Sequence, residues 1–162
     1  MVIRLFEPRD AEEVADIMYR SFLTFLKERS KPPRPAEYWA KALAHRIDYD
    51  METLAFVAED DDHHIVGCLA STANLAYGLA GLDEIGVAPE AAGKGIGRQL
   101  FQAALKAWRE RRMRKVWTDA ASINPGAKQF YLKMGFVEEG VMRNHFFDGV
   151  DETILALFLT YN

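Results

Sequence analysis

The stretch Gly93-Lys94-Gly95-Ile96-Gly97-Arg98 joins a short apolar strand, Leu82 to Val87, to a strongly periodic helix, and a further strand, Val116 to Ala120, follows that helix. Strand, helix and strand in this order form a crossover, so the two strands pair in parallel. The turn adds a chemical constraint. The first backbone N–H groups of a helix have no intrahelical partners and lie at the positive end of its dipole, which makes such a junction a seat for phosphate. Glycines let that backbone approach a bulky anion with no Cβ between them.

The 162 residues, 49% of them hydrophobic, suffice for a single domain spanning 1–162 whose core needs neither disulfides nor metals. A net charge of −4 supplies no global basic field for nucleic acid. The single Cys68 has no internal partner. It reads as a small buried hydrophobe on a strand, and its isolation favours a reducing compartment. No N-terminal signal pattern is visible, and no apolar run approaches the ~20 residues a membrane span needs. The expectation is a soluble, cytoplasmic protein.

Val2 to Phe6 alternates apolar and polar residues as a first strand. A helix follows, in which Asp10 and Glu13 have capping-box spacing and Val14, Ile17, Met18 and Phe22 recur at helical period. Lys31-Pro32-Pro33-Arg34-Pro35 breaks the chain and starts a second helix carrying Tyr38, Trp39, Leu43 and Ile47. Leu54 to Glu59 and Ile65 to Leu75 form a hairpin around Asp60-Asp61-Asp62-His63-His64. That cluster reads as a solvated loop tip rather than a metal site, because adjacent residues in a turn rarely converge on one ion.

The helix after the glycine turn buries Leu100, Phe101, Ala104, Leu105 and Trp108. Its basic end, Arg109 to Lys115, suits the negative pole of the helix and reads as a solvated terminus rather than a nucleic-acid patch. A short helix, Pro125 to Met134, stops at Gly135, and the last strands, Val137 to Phe147 and Glu152 to Thr160, meet at the Asp148-Gly149 turn. The order of elements predicts an α/β (α+β) domain, a mixed sheet with helices on both faces.

Two phosphate-binding motifs are excluded by the residues themselves. No Lys-Ser or Lys-Thr follows the last glycine, as a nucleotide P-loop requires. The dinucleotide fingerprint would need a third glycine at Arg98, or from the other register at Leu100.

The stretch resembles the acyl-CoA pyrophosphate loop of the GNAT superfamily of N-acyltransferases, in which Arg/Gln-x-x-Gly-x-Gly/Ala lies between a strand and a helix. Gly95-Ile96-Gly97 supplies the glycines and Val87-Ala88-Pro89 precedes them, while Ala92 stands where the family has Arg or Gln. About thirty residues on, Asn124-x-x-Ala127-x-x-x-Tyr131-x-x-x-Gly135-Phe136 resembles the family's other signature. The resemblance spans nearly the whole chain. It implies a twisted sheet of six to seven strands in which two parallel strands splay, with pantetheine of acetyl-CoA in the gap. By resemblance the backbone of Ile85, Val87 and Ala88 would line that gap, and the turn from Ala92 through Gly93, Lys94, Gly95, Ile96, Gly97 and Arg98 would hold the pyrophosphate. Asn124 would bond the pantetheine arm and Tyr131 would lie near the sulfur. No metal is implied.

An amine attacks a thioester only when neutral, so a base must take a proton, and the departing thiolate needs an acid. Tyr131 is the candidate acid, with a core aromatic as its other reading. Glu84 is the candidate base, although alternation on the strand sets Asp83 on the opposite face and leaves open which face meets substrate. His145 is a weaker alternative. The Val87 amide would steady the thioester oxygen. Phe22, Phe25, Tyr38, Trp39, Tyr77, Phe146 and Phe147 are available to wall an acceptor site. The expected activity is transfer of an acetyl group to a primary amine of a small molecule or peptide N-terminus by direct attack, with a homodimer as the implied assembly. A non-catalytic acyl-CoA-binding domain is the alternative, favoured by Ala92 and opposed by Asn124 and Tyr131. A nucleic-acid-binding module has only Arg109 to Lys115 in its favour.

Overall fold

The computed structural model describes residues 1–27 and 32–160. Lys31, at the head of the expected proline break, lies outside the described residues. The elements are β1 (Val2–Leu5), α1 (Ala11–Leu26), α2 (Ala36–Leu43), β2 (Arg46–Asp48), β3 (Met51–Glu59), β4 (Ile65–Asn74), β5 (Leu79–Val87), α3 (Ile96–Glu110), β6 (Lys115–Ala121), α4 (Pro125–Lys133), β7 (Val137–Phe147) and β8 (Val150–Phe158). The sheet runs β1-β3-β4-β5-β6-β8-β7, with β2 paired to β3, so the last strand is inserted between β6 and β7.

Small residues decide how closely the helices lie on this sheet. A Cβ on Gly86 would come within 2.8 Å of Met18 Sδ in α1, and one on Gly67 would meet Ile96 and Leu100 of α3 at 3.1 Å. Gly67 pairs with Val87, the neighbour of Gly86, so α1 and α3 lie on opposite faces. Under α3 the core is aromatic: Phe101 meets Trp108 and Phe136 with ring centroids 5.9 Å apart in each case. Trp108 is fully buried and donates its indole N–H to Ser71 Oγ at 2.9 Å. Cys68 is buried, its thiol pushed far up by loss of solvent.

Several expectations are corrected here. Asp10 does not form a capping box with Glu13. Its carboxylate turns back to accept the Glu7 amide and both Arg4 guanidinium nitrogens, each at 2.8 Å. Glu13 instead accepts the Ile65 amide, 2.9 Å away across the fold. Ile47 is not helical. Helix α2 ends at Leu43, and Ile47 forms the exposed middle of β2, the extra strand that brings the sheet to eight. The basic end of α3 is tied down rather than freely solvated. Arg111 grips buried Glu52 through two nitrogens at 2.5 and 2.7 Å, Arg114 donates to the Tyr77 carbonyl, and Lys115 pairs with Glu139.

Two irregularities of β5 position the site. Its parallel ladder with β6 consists of only Leu79–Lys115, Ala80–Val116 and Gly81–Trp117, after which the strands part. Its antiparallel ladder with β4 passes from Ser71–Leu82 to Ala70–Glu84, leaving Asp83 as a bulged residue without a partner.

Candidate active site

The parting of β5 and β6 opens a cleft of about 630 Å³, closed on its other sides by α1, the proline segment, the start of α4 and the tip of the β7–β8 hairpin. Just past β5 the Ala88 amide donates to the Val66 carbonyl at 2.9 Å. Antiparallel alternation from that bond turns the backbone groups of Ile85 and Val87 away from β4 and toward the gap. The Val87 carbonyl accepts from Ser21 Oγ at 3.1 Å. Of the three residues expected to line the gap, Ile85 and Val87 therefore offer amides to it. Ala88 is buried with its amide already taken.

The glycine turn ends at Gly95, in the left-handed region at φ 78, from which α3 starts with no side-chain cap. The first helical bond runs from the Gln99 amide to the Gly95 carbonyl. The amides of Ile96, Gly97 and Arg98 thus have no helical partner. A Cβ on Gly93 or Gly95 would meet nothing within 4 Å, so the turn is an open cradle, and Lys94 and Arg98 stand exposed beside it. Ala92 borders the cleft.

Asn124 caps α4, its Oδ1 accepting the Ala127 amide at 3.2 Å, which leaves the side-chain NH₂ free to donate into the cleft. One turn after Ala127, the Tyr131 ring packs against Phe130 and Phe136 with centroids 5.5 Å away, and the residue is buried. The ring is part of the core, and the residue also lines the cleft. Burial pushes its phenol up to about 12, with the charges of Asp119 and Glu84 adding to the rise and a hydrogen bond with Thr118 opposing it.

Glu84 also borders the cleft, where burial pushes its carboxyl up to about 7; Arg34 draws it down, and Asp83 and Asp119 raise it further. Arg34 is held over the Tyr38 ring, 4.5 Å from its centroid. The expected opposition of Asp83 and Glu84 is overturned by the bulge, which brings both carboxylates to the same cleft. Although much of its surface is exposed, the Asp83 carboxyl is crowded by surrounding chain and rises to about 6, against the Thr72 hydroxyl that donates to it at 2.6 Å.

Sequence reasoning missed Asp119 and Glu152, which also line the cleft. Glu152 is buried and is pushed up to about 7 by loss of solvent and by Asp119. Asp119 is raised by burial and lowered by its hydrogen bond with Glu152 and by His145. The two carboxyls therefore titrate as an interacting pair. The available signal was a carboxylate set between Val150 and Ile154 at alternate positions of β8, and another between Trp117 and Ala121 in β6.

The remaining candidates fall elsewhere. His145 is exposed on β7 and stacks edge-on to Phe146. Phe22, Phe25, Trp39, Phe146 and Phe147 wall the cleft, whereas Tyr38 holds Arg34 and Tyr77 is exposed near the far end of β5. At the acidic turn, His63 and His64 pair with Glu59 and Glu13. Among the described residues no group of His, Cys, Asp and Glu is arranged to hold a metal ion. No helix among them is long and apolar enough to cross a membrane.

The acetyltransferase (GNAT) family model matches residues 12–136, from α1 to the end of the α4 signature. The chain belongs to the GNAT acetyltransferase family. Members of the GNAT family use acetyl-CoA, and the residues present suit it: an open glycine cradle and free helix amides for phosphates, outward amides on β5 and the Asn124 NH₂ for an amide-bearing arm. Among relatives of this GNAT chain, a streptothricin acetyltransferase of Streptomyces lavendulae is 33% identical over 87 residues, covering 54% of this chain and 46% of that protein. A spermidine N(1)-acetyltransferase of Vibrio cholerae serotype O1 is 33% identical over 101 residues, 61% of this chain and 58% of its own. The matches thus span about half the length of these curated relatives. The ribosomal-protein-alanine N-acetyltransferase structure of Brucella melitensis superposes with a TM-score of 0.81, covering 98% of this chain and 100% of that one at 20% identity, a likeness of fold alone.

Proposed function

We propose that this chain transfers the acetyl group of acetyl-CoA to a primary amine of a small cationic molecule by direct attack, with Glu84 as general base and Tyr131 as general acid. The observation that carries the proposal is that Glu84 and Tyr131 reach one cleft from the two sides of the β5–β6 parting. Bound there, acetyl-CoA would supply a thioester carbonyl and a thiolate leaving group. The amides of Ile96, Gly97 and Arg98, with Lys94 and Arg98, would hold the pyrophosphate, and Gly93 and Gly95 would let them approach it. Ala92 contributes no side-chain donor. Ile85 and Val87 would bond the pantetheine arm together with Asn124, and the Val87 amide would face the carbonyl oxygen as charge develops on it.

Glu84, near 7, takes a proton from the incoming ammonium at neutral pH, and Tyr131 gives one to the sulfur. Four acidic side chains, Asp83, Glu84, Asp119 and Glu152, border the cleft, so a cationic acceptor meets groups that favour its charge as it enters. The names of the two curated relatives, a streptothricin and a spermidine acetyltransferase, support that acceptor class. A peptide N-terminus is the second acceptor. A cytoplasmic homodimer completes the proposal.

The test is CoA-thiol release from acetyl-CoA against spermidine, small amines, amino acids and short peptides. Turnover that depends on a cationic amine and is lost in Glu84→Gln supports the reading. Acetyl-CoA binding without turnover across the panel favours the non-catalytic acyl-CoA-binding domain, the reading that Ala92 brings forward.

A further inference from the structure

At the edge of the cleft, Asp83 meets an aromatic side chain that the acetyl-transfer chemistry does not use. A Cβ on Gly81 would lie 2.8 Å from Asp83 Oδ1 and 3.4 and 3.6 Å from Trp117 Nε1 and Cε2. The carboxylate and the indole therefore converge over a residue with no side chain to keep them apart. Gly81 and Trp117 are the last pair of the parallel ladder. Alternation along β6 puts Trp117 on the same face as Asp119, which borders the cleft. Trp117 is 39% exposed. The Asp83 carboxylate accepts the Thr72 hydroxyl at 2.6 Å and, among the described residues, pairs with no cation. Lys115, one step earlier on the face of Trp117, is engaged elsewhere: its ammonium pairs with Glu139 and lies 5.3 Å from the Phe158 ring centroid. An oriented carboxylate with its charge unmet, beside an exposed indole, suits an organic ammonium, which gains an ion pair on one side and the ring quadrupole on the other.

We propose that Asp83 and Trp117 form a subsite for the second ammonium of a diamine acceptor, whose first amine is acetylated beside Glu84. This rests on the reading of the chain as an acetyltransferase of cationic amines. Gly81 lies three residues from Glu84 on β5, a separation of about 10 Å at the rise of an extended strand and less across the bulge. An extended diamine the length of cadaverine reaches across such a distance, whereas an amine with a single charge leaves the subsite empty. At pH 8 the Asp83 carboxyl, near 6, is ionised and able to pair. The subsite touches no reacting atom; Asp83 and Trp117 select the acceptor.

The experiment compares cadaverine with pentylamine, which has the same carbon chain and one ammonium fewer, at pH 8 in wild type, Trp117→Leu and Asp83→Asn. Steady-state CoA release gives kcat/KM for each amine, and calorimetric titration gives the affinity of each for the protein saturated with CoA. Loss of the Asp83 charge also acts on Glu84, but it does so for both amines, so the cadaverine-to-pentylamine ratio isolates the subsite. Wild type should prefer cadaverine about tenfold or more, and each substitution should cut that ratio about fivefold, the size of an exposed cation–π contact or ion pair. The ratio of affinities should fall in step. Equal kcat/KM for the two amines in wild type, with turnover intact, overturns the subsite and leaves the acetyltransferase reading standing. A preference that survives either substitution undiminished also overturns it. If neither amine is turned over, the proposed function fails at these acceptors and the titrations decide the subsite alone: equal affinities overturn it, and a cadaverine preference lost in Trp117→Leu upholds it.

Discussion

Asp83 and Glu84 are consecutive in β5 yet border the same cleft, because Asp83 is bulged out of the ladder with β4. Its charge is one of those that hold Glu84 near 7. Glu84→Gln should lower kcat by about a hundredfold or more, the range of a lost general base. Asp83→Asn should leave the base in place while moving the acidic limb of the kcat/KM profile to lower pH by about half a unit, since one like charge is gone. A pH series from 5 to 9, run on both variants, checks this.

The donor turn makes a second test. Gly95→Ala places a side chain in a left-handed conformation and should cost about 1 kcal/mol of stability. Acetyl-CoA affinity should fall with it, because the amides of α3 are re-aimed. Ala92→Arg should act the opposite way, adding a charged donor beside the same amides and tightening acetyl-CoA binding about tenfold. Calorimetric titration with acetyl-CoA reads both.

Glu152 makes a prediction about stability rather than rate. Its folded-state value near 7 lies above its ordinary 4.5, so the folded chain keeps a proton that the unfolded chain releases. The corresponding stability is present below about pH 4.5 and is lost as pH rises toward 7. Glu152→Gln should therefore unfold at higher urea than wild type at pH 8, by about 2 kcal/mol, and should match it at pH 4. His45 and Arg111 hold Glu52 in the reverse situation.

Buried Glu52 accepts from Arg111 at 2.5 and 2.7 Å and lies 2.9 Å from His45, joining the end of α3 to β3 and to the segment after α2. Arg111 holds its carboxyl below the ordinary value, chiefly by hydrogen bonding, so this contribution is present above about pH 4.5 and is lost on acidification. Glu52→Gln leaves the Arg111 charge half-buried without its counter-ion and should cost about 3 kcal/mol at pH 7. Urea unfolding at pH 7 measures it.

The open turn before α3 was legible in the residues, because glycines between a strand and a helix start mark such a junction. That Asn124, Ala127 and Tyr131 border one cleft was legible too, from their spacing along one helix. The acidic side of the cleft was not. Strict alternation predicts opposite faces for Asp83 and Glu84, and a bulge in the ladder with β4 is what defeats it. Asp119 and Glu152 come together only because β8 is inserted beside β6, a long-range pairing with no local mark. Ile47 followed the period of the preceding helix, but the chain turned at Ala44 and gave it to an exposed strand instead.

The brief ladder between β5 and β6 has one more effect. Beyond Gly81 and Trp117 the two strands present backbone edges to each other across open space, and an unpaired edge is what recruits strands from other chains into aggregates. Here both edges face inward, under α1 and beside α4, and an extended molecule lying between them would act as a missing strand. An occupant of the gap would thus shield from within the backbone groups that the parting leaves without a ladder partner.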